Sequence, residues 1–484
     1  MTHTATPGRN YLGAAWIGRA VAGLCPCVWL LAACASTACP SPTATSTMAT
    51  ESAPKPPGPI QRVVVVSVDG LMPDNYLHPE AHGLSVPILR WMVKQGAVSE
   101  GVQSVFPTLT YPSHTSLVTG VNPARHGIMS NRAFDPLDNE LEAWRWYAED
   151  IKSDPIWRLT EQRGYPTALL YWPVTVGAKV SWLLPEFWRA KTIQDLKLMR
   201  AVATPGLLDA VTKEYPDFPE HFVPPAVTDE ALTNVALHVL SEGQPRLLML
   251  HLIEVDGAQH HHGIDSPEAH SAIENDDRQL ARLVARLGEL KLMAETAFVV
   301  VSDHGFRAAS KMVKPCTLLT DNGLVTVNDD GKVTDWRATA HSNSGSAYFY
   351  VKDATDTEVR DRVHQLVMAR LAQPDSGIGR VYESEAIRER GGDPSAILAV
   401  EPADDYQFGP GCTGAYVAPA PYRATHGFDP DRPEMRASML MVGPSIMHGK
   451  IAQARLIDLA PTIAQWLGIE MRGVDGAPLI VRGE

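Results

Sequence analysis

Aspartate and histidine side chains recur beside apolar runs at four separate places in the chain. The segments are VVVVSVDG, LLMLHLIEVDGAQH, FVVVSDHG and RATHGFDP, and their polar residues are Asp69, Asp256, His260, Asp303, His304 and His426. Apolar strands that end on such residues place them at the carboxyl edge of a sheet, where open α/β folds bind ligands. Three carboxylates and three imidazoles without a thiolate suit divalent zinc. The sequence therefore predicts a two-metal site.

The spacing within two of these segments favours shared coordination. Asp256 and His260 are four residues apart, which puts both on one face of a helix or tight turn. Asp303 and His304 are adjacent, so they reach one ion only where the chain turns sharply, and Gly305 is expected to permit that turn. Taken singly, each side chain could instead cap a turn, belong to an exposed histidine cluster or form a hydrogen-bonded loop pair.

The segment FPTLTYPSHTSLVTG supplies a candidate nucleophilic hydroxyl. Pro112 suits the first turn of a helix, which predicts Thr110 just before the helix begins. The helix dipole and a bound metal would both favour the alkoxide of such a threonine. The pattern alone does not separate Thr110 from Thr108, Ser113 or Thr115.

A hydroxyl beside two metal ions predicts phosphoryl transfer. Asn131, in HGIMSN, offers an amide donor that could hold a phosphoryl oxygen. A surface-turn asparagine is the alternative for this residue.

Strand and helix patterns alternate around these motifs. Strands are predicted at RVVVVSVDG, GVQSVF, PTALLYWP, RLLMLHLIEV, TAFVVVS and RASMLMVG. Helices are predicted at PILRWMVKQG, TDEALTNVALHVLSEG (capped by Thr228 or Asp229), PEAHSAIENDDRQLARLVARLGEL and ARLIDLAPTIAQWLG. Continuous apolar strands alternating with helices indicate an α/β fold, with a large, mostly parallel sheet between helices. This catalytic region is expected to cover residues 60–484.

Residues 305–425 differ in sequence pattern from the alternating strands and helices that precede them. GLVTVNDDGKVTDWRA predicts a hairpin that turns at Asp330 and Gly331, followed by the strand SGSAYFYV and the helix DTEVRDRVHQLVMARLA. We interpret this segment as a cap or insertion built on the main sheet.

The first 59 residues predict export from the cytoplasm. Residues 1–34 place two arginines before an apolar run of about 14 residues, as in a signal peptide. The run ends in LAAC, which resembles a lipobox with Cys34 as the lipidated residue; cleavage near residues 35–38 without lipidation is the alternative. Residues 35–59 are rich in Ser, Thr and Pro, as in a tether. The expected location is periplasmic or on the outer surface, bound to a membrane through the lipid, or alternatively secreted.

Composition limits the partners. Asp plus Glu number 55 against 42 Lys plus Arg, and the net charge is −13. This acidic balance argues against sequence-independent binding of long nucleic acid, but it does not argue against binding of a small phosphate ester.

Cys316 and Cys412 are the two cysteines outside the first 59 residues; they could pair or remain free.

The ordered segments VDG, LTYPSHTSLVTG, NPARHGI, VDGAQHHHG, SDHG and THGFDP together resemble the alkaline phosphatase superfamily, most closely its nucleotide pyrophosphatase/phosphodiesterase branch. The resemblance implies two zinc ions and a small phosphodiester or nucleotide substrate. It implies Thr110 as the nucleophile. One zinc would be bound by Thr110, Asp69, Asp303 and His304, and the other by Asp256, His260 and His426. By the same resemblance, Asn131 would bind a phosphoryl oxygen and Tyr111 would stack on a nucleobase.

Departures from related branches narrow the expected chemistry. The chain has no Cys-x-Pro-x-Arg run, which argues against a sulfatase. The segment YWPVTVGAKVSWLLPEFW lacks a Lys-x-Arg pair for a terminal phosphate, which favours diesters. The alternatives are a phosphomonoesterase or phosphonate hydrolase, an inactive binding protein, and an enzyme that transfers a head group to a surface glycan.

Overall fold

The computed structural model describes residues 60–137, 139, 144–189, 192–222 and 227–483. The predicted signal peptide, Cys34 and the tether lie outside these residues. Within the described ranges, no helix combines the length and apolar character needed to span a bilayer.

Strands and helices alternate up to residue 301, as the sequence predicts. The strands are β1 Arg62–Val68, β2 Ala97–Val98, β3 Thr167–Leu170, β4 Trp182–Leu184, β5 Leu247–Leu252 and β6 Thr296–Val301. The helices are α1 Asp74–Leu77, α2 Pro79–His82, α3 Pro87–Gln95, α4 Thr110–Thr119, α5 Pro123–His126, α6 Ile156–Gln162, α7 Leu196–Val202, α8 Leu207–Glu214, α9 Asp229–Glu242, α10 Glu254–His262 and α11 Pro267–Glu289. Thr228 is the N-cap of α9, because its side chain accepts from the amide of Ala231.

The next segment forms small sheets of its own. Its strands are β7 Arg307–Val313, β8 Val325–Val327, β9 Val333–Trp336, β10 Ala338–Ser342, β11 Ala347–Val351, β12 Ile378–Glu383, β13 Leu398–Pro402, β14 Asp405–Phe408, β15 Val417–Pro419 and β16 Ala424–Thr425. Its helices are α12 Pro315–Thr320, α13 Thr357–Leu371 and α14 Ser384–Glu389. β8 and β9 form the predicted hairpin, and a disulfide joins Cys316 to Cys412.

The main sheet has nine strands and is mixed. The last elements are β17 Met439–Val442, β18 Gly449–Ile451, α15 Leu459–Leu467 and β19 Val481–Gly483. The strand order is β19-β18-β2-β17-β6-β1-β5-β3-β4. The run from β6 to β4 is parallel, whereas β17 is antiparallel to both of its neighbours. The prediction of a large, mostly parallel α/β sheet is confirmed.

Both faces of the sheet are covered, which explains why its strands read as continuous apolar runs. In β1, Val64 and Val66 pack into the core on one face, and Val63 and Val65 into the core on the other. Successive side chains of a strand point to opposite faces, so a strand buried on both sides needs an apolar residue at every position.

One predicted strand is wrong. The segment GVQSVF makes only two isolated bridges, from Val102 to Ala437 and from Gln103 to Arg455. Its apolar residues are buried by side-chain packing and not in a ladder; Phe106, for example, packs against Tyr348 of β11 and Tyr382 of β12.

The central strands bring the predicted site residues to one edge. β1 lies between β5 and β6, with Val68 opposite Leu252 and Ser67 opposite Val301. Because the three strands are parallel and end together, the residues that follow them converge.

Candidate active site

The first cluster lies where β1 and β6 end. Asp69, Asp303 and His304 each offer a ligand atom within 4.8 Å of the others. The Nε2 atom of His304 lies 2.9 Å from Oδ2 of Asp303 and 3.4 Å from Oδ1 of Asp69. All three residues are buried. Two carboxylates and an imidazole at these separations are compatible with one metal ion.

The second cluster is centred on Asp256 in α10. Its Oδ1 atom lies 3.4 Å from Nε2 of His260 and 3.6 Å from Nε2 of His426. Asp256 and His426 also lie within 4.8 Å of a ligand atom of His304. The rings of His304 and His426 are stacked, with centroids 3.6 Å apart. The two clusters therefore adjoin at His304.

Backbone carbonyls bind the same ring nitrogen, Nδ1, in His260, His426 and His304. Nδ1 lies 2.8 Å from Ala424 O in His260, 2.9 Å from Thr108 O in His426 and 3.2 Å from Gly305 O in His304. A carbonyl only accepts, so each Nδ1 carries a proton, and in the neutral ring each Nε2 presents a lone pair to the cluster. This is the orientation that metal-binding histidines require.

The electrostatics of the site also fit cations. Oδ1 of Asp69, Oδ1 of Asp256 and Oδ2 of Asp303 are buried without a hydrogen-bond donor among the described residues. Burial, then the charges of Asp303 and Asp256, raise the pKa of Asp69 well above its usual range. Burial and the neighbouring His304 and His260 hold the pKa of His426 well below its ordinary value, which keeps its imidazole neutral. Metal ions would relieve the carboxylate repulsion.

Thr110 is the first residue of α4, one position further in than the sequence predicts. Its Oγ1 atom lies 3.5 Å from Nε2 of His304, at the junction of the two clusters. The other candidate hydroxyls are hydrogen-bonded to groups other than the side chains of the candidate metal ligands. Thr108 donates to Phe428 O, Thr115 donates to Tyr111 O, and Ser113 shares a hydrogen bond with Ser104.

Asn131 lies beside the first turn of α4. Its Oδ1 atom accepts from the backbone amide of Tyr111 at 2.9 Å. The side-chain amide is thereby oriented, and its Nδ2 group remains able to donate to a ligand next to Thr110.

Tyr111 lines the cavity beside Thr110, and its ring lies deep in the wall. Its side chain is 0% exposed, and its hydroxyl donates to Glu186 at 2.9 Å. The ring packs against Trp144, with centroids 5.2 Å apart. The half-buried Trp144 and Trp188 line the same cavity, and the stacking of Tyr111 on a nucleobase stays a prediction.

Three buried polar residues that sequence reasoning missed support the first cluster. His251, in β5, lies with Nε2 3.0 Å from Oδ2 of Asp69 and Nδ1 3.3 Å from Glu186. His114, one turn along α4, lies with Nδ1 2.8 Å from Thr110 O. A histidine inside the apolar run LLMLHL, and one four residues after Thr110, were available as signals.

Gly305 acts differently from expectation. It is not among the described residues with positive φ. A side chain there would instead collide with the backbone carbonyl of Glu434. The glycine is needed for close packing behind the site, not for a left-handed turn.

A cavity of about 1450 Å³ opens from the two clusters. Thr110, Asn131, Asp69, Asp256, His260 and His426 all line it. Its wall is acidic, with the carboxylates of Glu186, Glu214, Asp217, Glu230, Glu254 and Glu268. Among the described lining residues, Arg278 is the one lysine or arginine.

Comparison with known proteins agrees with this geometry. The chain resembles human ectonucleotide pyrophosphatase/phosphodiesterase family member 5, with 27% identity over 259 residues, 52% of this chain and 46% of that protein. It also resembles bovine bis(5'-adenosyl)-triphosphatase, with 26% identity over 252 residues, 52% of this chain and 48% of that protein. The matches therefore span about half of each relative.

Solved structures show the same fold. Human ectonucleotide pyrophosphatase/phosphodiesterase 5 superimposes with a TM-score of 0.62 at 21% identity, covering 86% of this chain and 97% of that one. An inactive threonine-to-alanine variant of the murine protein, in complex with AMP, superimposes with a TM-score of 0.60 at 22% identity, covering 86% and 97%. The family model for type I phosphodiesterase / nucleotide pyrophosphatase matches residues 63–429, most of the chain. The chain belongs to this family, within the alkaline phosphatase superfamily.

Proposed function

We propose that this chain is a two-zinc phosphodiesterase or nucleotide pyrophosphatase that uses Thr110 as its nucleophile. The observation that carries the proposal is the position of the Thr110 hydroxyl, 3.5 Å from Nε2 of His304, where two clusters of metal-ligating residues adjoin. The murine relative that binds AMP was inactivated by replacing a threonine with alanine, which supports the same role here.

The residues that would hold the metal ions follow from the two clusters. Asp69, Asp303, His304 and Thr110 would hold one ion, and Asp256, His260 and His426 would hold the other. When bound, the ions would supply Lewis-acid stabilisation of phosphoryl charge and favour the Thr110 alkoxide.

The protein residues then position the displacement. Oγ1 of Thr110 forms a bond to phosphorus as the bond to the leaving oxygen breaks, which gives a phosphothreonyl intermediate. Nδ2 of Asn131 donates to a non-bridging phosphoryl oxygen. Hydrogen bonding of the Thr110 carbonyl to His114 holds the nucleophile's backbone in place. Attack by water on phosphorus releases Oγ1 and completes hydrolysis.

The charge of the cavity favours a substrate with a singly charged phosphoryl group. A phosphomonoester is dianionic and would face six lining carboxylates besides the candidate metal ligands Asp69 and Asp256, with Arg278 as the one arginine or lysine among the described lining residues. A diester carries one negative charge and meets less repulsion. The half-buried Trp144 and Trp188 offer aromatic surface to a nucleoside or another flat leaving group.

We test the proposal by comparing kcat/KM for p-nitrophenyl thymidine monophosphate, bis-p-nitrophenyl phosphate and p-nitrophenyl phosphate on the zinc-loaded chain. The account predicts that both diesters exceed the monoester, and that the thymidine diester is the better of the two. A preference for the monoester would reject the diesterase assignment.

We also propose that the enzyme is exported and attached to a membrane through Cys34. The support is the apolar run that ends in LAAC and the Pro- and Ser-rich tether after it. In cell fractionation, Cys34→Ser should move the protein from the membrane to the soluble fraction. Membrane association that is unchanged by this substitution would reject the lipid anchor.

A further inference from the structure

A second group of histidine and aspartate side chains lies where the end of α2 meets the start of α11. His82 is the last residue of α2, Asp265 lies in the loop before α11, and His270 lies in the first turn of α11. One ligand atom of each lies within 4.8 Å of the others. None of the three is among the described residues that line the active-site cavity.

We propose that His82, Asp265 and His270 bind a further zinc ion with a structural role. Two imidazoles and one carboxylate are a common set of protein ligands for zinc, and water would complete the tetrahedron.

The separations between the ligand atoms match this geometry. Oδ1 of Asp265 lies 3.1 Å from Nδ1 of His82 and 3.9 Å from Nε2 of His270. With zinc bonds of about 2.0–2.1 Å, adjacent ligands of a tetrahedron lie about 3.3–3.4 Å apart. A shift of about half an ångström in the His270 side chain would bring its Nε2 to the tetrahedral separation from Asp265.

The surroundings of the two histidines point their lone pairs into the cluster. Nε2–H of His82 donates to Oδ2 of Asp74 at 2.7 Å, which in the neutral ring leaves the lone pair on Nδ1, facing Asp265. A carboxylate that holds the far nitrogen of a histidine is the usual support for a metal ligand. Nε2 of His270 is buried without a hydrogen-bond partner among the described residues. An unpaired buried nitrogen of this kind calls for a partner, and a cation would supply it.

The two elements are held in place independently of any metal. Oδ1 and Oδ2 of Asp277 in α11 accept from the amides of Leu89 and Ile88, at the start of α3. Glu274 accepts from the amide of Ser85. The segment after α2 is therefore fixed against α11, so the site is preorganised and costs little ordering of the chain on binding.

The location of the three residues indicates what the bound zinc would do. His82 belongs to the segment that follows Asp69, and Asp265 and His270 belong to the segment that follows α10, which carries Asp256 and His260. Zinc bound here would join the backbone segments that supply ligands to the two active-site clusters. It would stabilise the fold without contacting the substrate.

A metal-free ion pair is the competing explanation. The hydrogen bond that His82 donates to Asp74, and then the one it donates to Asp265, raise the pKa of His82, and an imidazolium between two carboxylates could hold the cluster together. An imidazolium has no lone pair for a metal, so the two explanations predict different zinc contents.

The test counts zinc in the full-length chain after loading and gel filtration. The wild-type protein should carry one zinc more than the double variant His82→Asn/His270→Asn. The matched control His78→Asn alters an exposed histidine nearby and should retain the wild-type content. Equal zinc in the wild-type protein and the double variant would overturn the proposal.

A difference of one equivalent is expected whatever number the active site holds, so this result is independent of the proposed function. The double variant should also keep the wild-type kcat/KM for the thymidine diester, with a lower midpoint of thermal unfolding in zinc. If the double variant does not fold, Asp265→Asn replaces an exposed carboxylate and should lose the same equivalent. Full zinc content in Asp265→Asn would equally contradict the site.

Discussion

Nε2 of His251 lies 3.0 Å from Oδ2 of Asp69, and this buried contact ties the central strand β5 to the first predicted metal ligand. The other ring nitrogen lies 3.3 Å from Glu186. Burial lowers the pKa of His251, but the hydrogen bonds with Asp69 and Glu186 outweigh burial and raise it well above its ordinary value. An imidazolium between two carboxylates fixes Asp69 in one orientation toward the cluster.

Replacing His251 should therefore weaken metal binding without removing a ligand. His251→Leu leaves the buried Oδ2 of Asp69 without its donor, and we expect zinc affinity to fall by about 10–100-fold. His251→Gln restores one donor and should recover part of the loss. Competition with a chelator of known affinity measures the effect, with the exposed His364→Gln as the control. Wild-type zinc affinity in His251→Leu would show that the contact plays no part in positioning Asp69.

The second cluster can be tested by removing its central carboxylate. Oδ1 of Asp256 lies 3.4 Å from Nε2 of His260 and 3.6 Å from Nε2 of His426. Asp256→Ala should therefore lose one of the two active-site zinc ions and most turnover. The first cluster, built on Asp303 and His304, should keep its ion. Elemental analysis beside an activity assay gives both results. Unaltered zinc content in Asp256→Ala would contradict the assignment of this ligand set.

A buried histidine away from the metal ligands predicts acid sensitivity. His126 is 0% exposed; its Nδ1 accepts from the amide of Ile128, and its Nε2 donates to Ser116. Protonation would break the first contact, and burial lowers the pKa of His126 to about 3. Since this value lies below the unfolded value of about 6.5, the stability that the neutral ring provides is complete above pH 6.5 and is lost as the pH falls toward 3.

The loss attributable to His126 is about 2 kcal/mol of unfolding free energy between pH 6.5 and 5. His126→Gln keeps a donor and an acceptor but does not titrate, so its unfolding free energy should fall less over this interval. Urea unfolding at the two pH values measures the difference, with the exposed His448→Gln as a control for the loss of a histidine. The same pH dependence in His126→Gln and the wild type would contradict the assignment.

Much of the fold could be predicted because the central strands have uninterrupted apolar sequences that are recognisable without knowledge of their neighbours. An uninterrupted run such as Val63–Val66 has to be buried on both faces, and an aspartate at its end has to reach the carboxyl edge of a parallel sheet. The segment GVQSVF has a similar composition but makes only isolated bridges, because local pattern does not reveal whether a partner strand is present.

The supporting residues were harder to find for a related reason. The contact of His251 with Glu186 depends on the position of the segment after β4 relative to β5, which no spacing in the sequence encodes. The burial of Tyr111 likewise depends on Trp144 and Glu186, which are remote in sequence. The candidate ligands could be proposed from the sequence because most of them closely follow an apolar strand whose pattern is local.

The measurement that tests the central claim most directly is the turnover of Thr110→Ala with the thymidine diester, together with its zinc content. We expect a loss on the order of 10³-fold or more in kcat, because the hydroxyls of Thr108, Tyr111, Ser113 and Thr115 are hydrogen-bonded to other groups. Both zinc ions should remain bound, because Asp69, Asp303 and His304 are unchanged. Thr110→Ser, which keeps the hydroxyl, should retain measurable turnover. Turnover near the wild-type level in a Thr110→Ala protein that carries both zinc ions would contradict the assignment of Thr110 as the nucleophile.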